Sequence, residues 1–134
     1  MSREDVELVR AMFSAWEEGD LERSLAYVSA DAEWLPSVWS GGGSFHGHDG
    51  VRRWAARLAG SDRRVEVRAL EYRDGPSGVA VIGEVRRVSG AGEPGAPITL
   101  GWVFEVEDGL VVRGEGFTDP GHALRLAGVW RPPP

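Results

Sequence analysis

The residues of this chain that could do chemistry are its three histidines and an arginine–glutamate pair near the end. Two of the histidines stand in "SFHGHDGVRRW", residues 44–54, where His46 and His48 directly precede Asp49. His-x-His-Asp raises the question of a metal. A catalytic zinc needs about three convergent protein ligands. The hydrolase pattern His-x-His-x-Asp-His places its aspartate one position later and adds a further histidine. This stretch has neither, and His122 lies far along the chain. The other reading is a helix start. Gly47 suits a tight turn, and His48 and Asp49 then fall in the first helical turn, where an acidic side chain meets free backbone N–H groups. The expectation is a helix start with no metal, and His46, on the loop side, reaching a pocket mouth.

The second candidate lies in "LVVRGEGF". Arg113, Glu115 and Phe117 share one face there by period-2 alternation. Aimed into a pocket, Glu115 is a general base and Arg113 orients it or stabilises an oxyanion. Aimed outward, the two are a solvent-exposed ion pair. Both readings stay open. Gly114 and Gly116 take the opposite face, which suits close backbone packing across a dimer. Leu100, Trp102, Phe104 and Val106 form the apolar face of the preceding strand, as core or with Trp102 lining a pocket. Trp34 and Trp39 flank a Gly-rich loop, which reads as a lid or as a dimer contact.

These residues need elements to position them. Val6, Val9, Met12, Phe13 and Trp16 recur at helical spacing behind a Ser2–Asp5 capping box, and Gly19 ends that helix. Asp20 caps a short second helix carrying Leu21, Leu25 and Val28. "AEWL", 32–35, reads as a brief strand and 36–47 as a loop. A third helix is expected from His48 to Ala59, with Val51, Trp54, Ala55 and Leu58 inward. The period then changes to two. Segments 63–73, 78–88, 97–108 and 110–117 read as strands, joined by "DGPSG" and "DG" turns. Asp119, Pro120 and Gly128 cap, start and stop a closing helix. Residues 130–134 read as a Pro-rich tail. Helices first and long antiparallel strands afterwards make an α+β layout.

Composition bounds the functions. A chain of 134 residues is expected to be one domain, residues 1–129. It has no cysteine, which removes disulfides, thiolate ligands and thiol nucleophiles. A net charge of -6 argues against nucleic acid as a partner. No signal-peptide pattern and no membrane-length apolar run are visible, so no membrane partner is expected and the cytoplasm is the default compartment. Six tryptophans point to a large core, an aromatic-lined pocket, or both.

"VRAMFSAWEEGDLERSLAYVSADAEW", "FHGHDGVRRW" and "WVFEVEDGLVVRGEGFTDPGHALRLAGV" resemble the SnoaL-like branch of the nuclear transport factor 2-like superfamily, over nearly all of residues 6–129. The resemblance implies a cone: three N-terminal helices packed in a curved, mostly antiparallel sheet around an apolar pocket, with a short C-terminal helix, in a homodimer. It implies ketosteroid isomerases, polyketide cyclases and limonene-epoxide hydrolases as relatives, and no cofactor. Leu35 stands where the isomerases carry their aspartate base before proline, and Met12 near their tyrosine. The Asp-Arg-Asp set of the epoxide hydrolases has no counterpart. The expected site is therefore Glu115 and Arg113 as catalytic pair, with Trp34, His46, Trp54, Trp102 and Phe117 around a small apolar ligand. The alternative is a binder without catalysis.

Overall fold

The computed structural model describes residues 2–60 and 64–129, without the Ser2 side chain. The expected Ser2 cap, the start of the 63–73 strand at Arg63 and the 130–134 tail lie outside the described residues. The chain runs α1 (Ser2–Glu17), α2 (Leu21–Leu25), β1 (Val28–Leu35), a 3-10 turn (Val38–Ser40), β2 (Phe45–His46), α3 (Gly47–Ala59), β3 (Arg64–Gly75), β4 (Gly78–Val88), β5 (Ile98–Glu107), β6 (Leu110–Phe117) and α4 (Pro120–Ala127). No helix among the described residues is long and apolar enough to cross a membrane.

The helix ends follow local chemistry. Asp20 Oδ1 accepts from the Arg23 N–H at 3.0 Å and starts α2. Asp119 Oδ1 accepts from the Gly121 N–H at 2.9 Å, Pro120 opens α4, and Gly128 closes it in the left-handed region at φ 87°. Val28 departs from expectation. It begins β1 instead of continuing α2, and the adjacent Tyr27 carbonyl accepts from the Val111 N–H at 2.9 Å. Pairing with β6 outweighs the helical spacing.

The six strands form one curved, open sheet in the order β2-β1-β6-β5-β4-β3. β1 and β6 are parallel, and every other neighbouring pair is antiparallel. α1, α2 and α3 fill the concave side. Val9, Met12 and Phe13 of α1 and Val51 of α3 pack there against Trp34, Val79, Val81, Phe104 and Val111. α4 lies on the convex side, where Ala123 and Ala127 meet Ala80 and Val103.

The β5–β6 ladder fixes which residues face which side. Asp108 and Gly109, both at positive φ, make the tight turn and pair Glu107 with Leu110 and Val106 with Val111. A bulge follows, and Val112 and Arg113 together oppose Glu105. Beyond it the register is shifted by one, so Phe104 faces Gly114, Val103 faces Glu115 and Trp102 faces Gly116.

Candidate functional site

The concave side is built of aromatic rings. Helical spacing puts Phe13 and Trp16 on one face of α1, and strand alternation puts Trp102 and Phe104 on one face of β5. Trp34 comes from β1 and Trp54 from α3. Phe13 is edge-on to Trp16 at 4.8 Å, to Trp102 at 5.3 Å and to Phe104 at 5.6 Å between centroids. Trp34 lies 5.5 Å from Trp16, 5.7 Å from Trp54 and 5.9 Å from Phe104. The indole donors are satisfied from the side. Trp16 Nε1 donates to Ser24 Oγ at 2.9 Å, and Trp54 Nε1 donates to the Ser40 carbonyl at 3.3 Å. Phe13 and Phe104 are fully buried, whereas Trp16, Trp54 and Trp102 keep part of their surface exposed. The array is therefore sealed at its centre and open towards its rim.

The polar side chains on this side of the sheet include Tyr72 and Arg87. Tyr72 of β3 is edge-on to Phe13 at 6.2 Å, with the Arg10 guanidinium 4.3 Å over its ring. Burial, helped by the charge of Glu17, pushes its phenol up to about 12. Arg87, near the end of β4, pairs with Val65 and shares its face with Val85. Its guanidinium lies 4.6 Å over the Trp39 ring and donates to the Leu58 carbonyl at 3.5 Å and the Trp39 carbonyl at 3.4 Å. Sequence reasoning missed Arg87. The signal was present: along "GVAVIGEVRRV", Val79, Val81, Gly83, Val85 and Arg87 form one alternating face on which Arg87 is the charged member.

Arg113, Glu115 and Phe117 lie on the opposite, convex face, in cross-strand pairing with Glu105, Val103 and Gly101. The expectation that this face turns into the cone is corrected by the bulge. Arg113 is paired to Glu115 at 3.1 Å and to Glu105 at 3.4 Å, so its charge is committed to two carboxylates. The Arg113 and Glu115 side chains are 33% and 28% exposed. Phe117 stacks on His122 at 4.4 Å beside α4. Gly114 and Gly116, expected outward for a dimer, face inward. A Cβ on Gly114 would sit 2.7 Å from Trp34 Cζ3 and 2.9 Å from Phe104 Cε1, and one on Gly116 2.9 Å from the Ser37 backbone nitrogen and 3.3 Å from Trp102 Cδ1. The inner side has no room for side chains at these two positions.

The histidine stretch does begin a helix. Gly47 takes φ 70°, and a Cβ there would meet the Ala30 carbonyl oxygen at 2.8 Å. His48 Nε2 lies 2.7 Å from the Val28 carbonyl oxygen. A carbonyl can only accept, so Nε2 carries the proton and is occupied. Asp49 pairs with Arg52 at 2.6 Å, and Arg52 also grips Glu22 at 2.8 Å, holding the Glu22 carboxyl below its ordinary range. His46 is exposed. It pairs with Glu33, which pairs with Arg113, whereas its neighbour Phe45 pairs with the inward Trp34. That row corrects the expectation that His46 reaches the mouth. Among the described residues no group of histidine, aspartate and glutamate is placed to hold a metal.

Of the expected site residues, the structure thus places Trp34, Trp54 and Trp102 on the concave side, Trp54 against Trp34 and Trp102 against Phe13. It leaves Arg113, Glu115, Phe117 and His46 outside it. Two cavities are open at the ends of the sheet. One of about 510 Å³ is bordered by Asp74, Ser77, Val103, Glu105, Arg113 and Leu126 among others. One of about 500 Å³ runs along the β3–β4 ladder past Glu17, Val67, Val85 and Pro97.

The model of the SnoaL-like domain matches residues 9–114. Among solved structures, a nuclear transport factor 2-like protein of unknown function from Burkholderia pseudomallei is 25% identical, with 93% of this chain and 98% of that one covered at a TM-score of 0.72. TerC, crystallised with polyporic acid, is 22% identical over 92% and 98% at 0.73. A putative polyketide cyclase from Xanthomonas campestris is 17% identical over 95% and 98% at 0.75. No curated protein matches the sequence.

Proposed function

We propose, from the premise that this chain belongs to the SnoaL-like domain family, that it is a small-molecule pocket protein. Its cone holds a flat, apolar ring compound against Trp54 and Trp102, with the buried Trp34 packed behind Trp54. The observation that supports this is the converging aromatic array, with Trp54 and Trp102 still partly exposed on the concave side. Rings stacked on rings give contact area at low entropic cost. TerC, of the same fold, was crystallised with polyporic acid, which is consistent with small-ligand binding. The inward positions of β4, β5 and β6 carry Val, Gly, Leu, Ile, Trp, Phe and Arg, and the carboxylate of the neighbouring inward row, Asp74 of β3, stands at its exposed end opposite Val79. This favours holding a ligand over proton transfer to or from it.

The test is calorimetric titration with neutral 2-naphthamide. A Kd on the order of 10–100 µM is expected for a fragment of this size, weakened several-fold by Trp54→Leu. Absence of saturable binding would refute the cone reading.

A second reading keeps Arg113 and Glu115 as the polar pair of a cofactor-free isomerase, cyclase or hydrolase, because Arg113 borders the 510 Å³ cavity. Under it, Glu115→Gln lowers turnover by roughly 10²–10⁴-fold, the usual loss of a general base. Under the binding reading that variant changes nothing in the cone. We further propose a cytoplasmic homodimer. With Gly114 and Gly116 turned inward, its contact draws on the convex face beside α4. A monomer mass at micromolar concentration by light scattering would remove the dimer, since a stable interface buries on the order of 1,200 Å² or more.

A further inference from the structure

We propose that Arg87 is an anion subsite at the rim of the cone, so that the ring compound held there carries an acidic oxygen, a carboxylate or an enolate. The inference rests on the cone reading and specifies its ligand.

Three arginines are partly buried among the described residues: Arg86, Arg87 and Arg113. Arg86 is paired with Glu66 at 3.0 Å, and Arg113 with Glu105 and Glu115. Arg87 has no carboxylate partner among the described residues. A guanidinium offers five donors in a planar fork. Here its two hydrogen bonds, to the Leu58 and Trp39 carbonyls, are both long at 3.5 and 3.4 Å. Holding a cation partly out of water without a counter-charge is unfavourable unless something supplies that charge.

The surroundings indicate what would supply it. Trp39 stacks on the guanidinium, and such stacking fixes the plane of the fork while leaving its edge free. Leu58 is one helical turn beyond Trp54 on α3, so both share the helix face nearest the rim. Trp54 in turn lies 5.7 Å from Trp34. Trp54 Nε1 donates to the Ser40 carbonyl, next to the Trp39 carbonyl that Arg87 holds, so a ring lying on Trp54 would have an edge near Arg87. An oxyanion on that edge would be bound by charge-assisted, bidentate hydrogen bonds, which need the planar geometry of a carboxylate or a comparable enolate. A neutral amide offers Arg87 one acceptor oxygen and no charge, so it gains less.

The probes are 2-naphthoate and 2-naphthamide, nearly equal in shape and differing in charge. By calorimetry, wild type should bind naphthoate about tenfold more tightly than naphthamide, the factor worth ~1.4 kcal/mol. Arg87→Gln should bring the two affinities together, with naphthoate losing most of its advantage and naphthamide changing much less. Arg87→Met, which keeps the aliphatic stem on Trp39, should do the same and serves if the glutamine variant fails to fold. Trp54→Leu should weaken both probes alike. An unchanged naphthoate preference in the Arg87 variants overturns the subsite while the cone reading stands. Failure of both probes to bind wild type, or Trp54→Leu leaving both affinities intact, sinks the cone reading and the subsite with it.

Discussion

β6 presents two different surfaces within four residues. On the concave side stand Gly114 and Gly116, stripped of side chain because Trp34, Phe104 and the Ser37 backbone take their space. On the convex side stand Arg113 and Glu115, paired with one another and, through Arg113, with Glu105. The emptiest positions are therefore the most constrained, and the charged ones the least. Alternation along a strand separates two faces, but the conspicuous residues do not mark the inner one.

This contrast can be broken by mutation. The largest effect is expected from Phe104→Ala. Phe104 is fully buried and touches Phe13, Trp16 and Trp34. Its loss should cost about 3–5 kcal/mol in urea unfolding; a cost under about 1 kcal/mol would mean the array is not the core. Gly114→Val comes next, because its sign tells the faces apart. Facing the rings, valine overpacks and destabilises by about 1–3 kcal/mol. On an outward face the same change would stabilise, since β-branched residues favour strands. An increase in Tm would thus reverse the assignment of the two faces.

On the convex side, Arg113→Gln and Glu115→Gln should each shift stability by no more than about 1 kcal/mol, as for an ion pair that is partly exposed and screened by solvent. Neither should change naphthamide binding. A matching loss of affinity in either variant would join the two faces into one site. The smallest effect is confined to alkaline pH. Tyr72 should ionise at about 12 where an unfolded chain ionises near 10.0. Below pH 10 both states hold the proton and stability is independent of it. As pH rises from 10 towards 12 the unfolded chain loses its proton first, and stability falls. Ultraviolet titration should show this late phenol, and Tyr72→Phe should abolish it. Ionisation near 10 would mean the concave side at β3 is open to water.

Much of the fold was readable from local chemistry. The caps Asp20 and Asp119, the stops Gly19 and Gly128 and the Asp108-Gly109 turn lie within a few residues of the structure they cause, and the strands at 78–88 and 110–117 stand where alternation puts them. The two-residue β2 was hidden in a loop, because its pairing with β1 depends on a partner more than ten residues away, as for His46 and Glu33. The candidate site was half readable. Trp34, Trp54 and Trp102 lie on the concave side, since each sits on the apolar face of its element. Arg113 and Glu115 do not join them, and Arg87 went unseen although its own strand pattern marks it.

The sequence by itself determined the elements, their order, their turns and the division of each strand into two faces, because φ preferences, caps and periodicity act over a few residues. Only the tertiary structure decided which face of β6 looks inward. A regular register from the Asp108-Gly109 turn would set Phe104 opposite Arg113. One extra residue at Val112 sets it opposite Gly114 and turns every later side chain over. Where that residue is accommodated depends on the room left by Trp34 and Phe104, which come from other strands. The surroundings of Arg87 were likewise decided in three dimensions. Its partners Leu58 and Trp39 stand 29 and 48 residues away, and only the closing of α3 and the Val38–Ser40 turn over the sheet brings them to one rim.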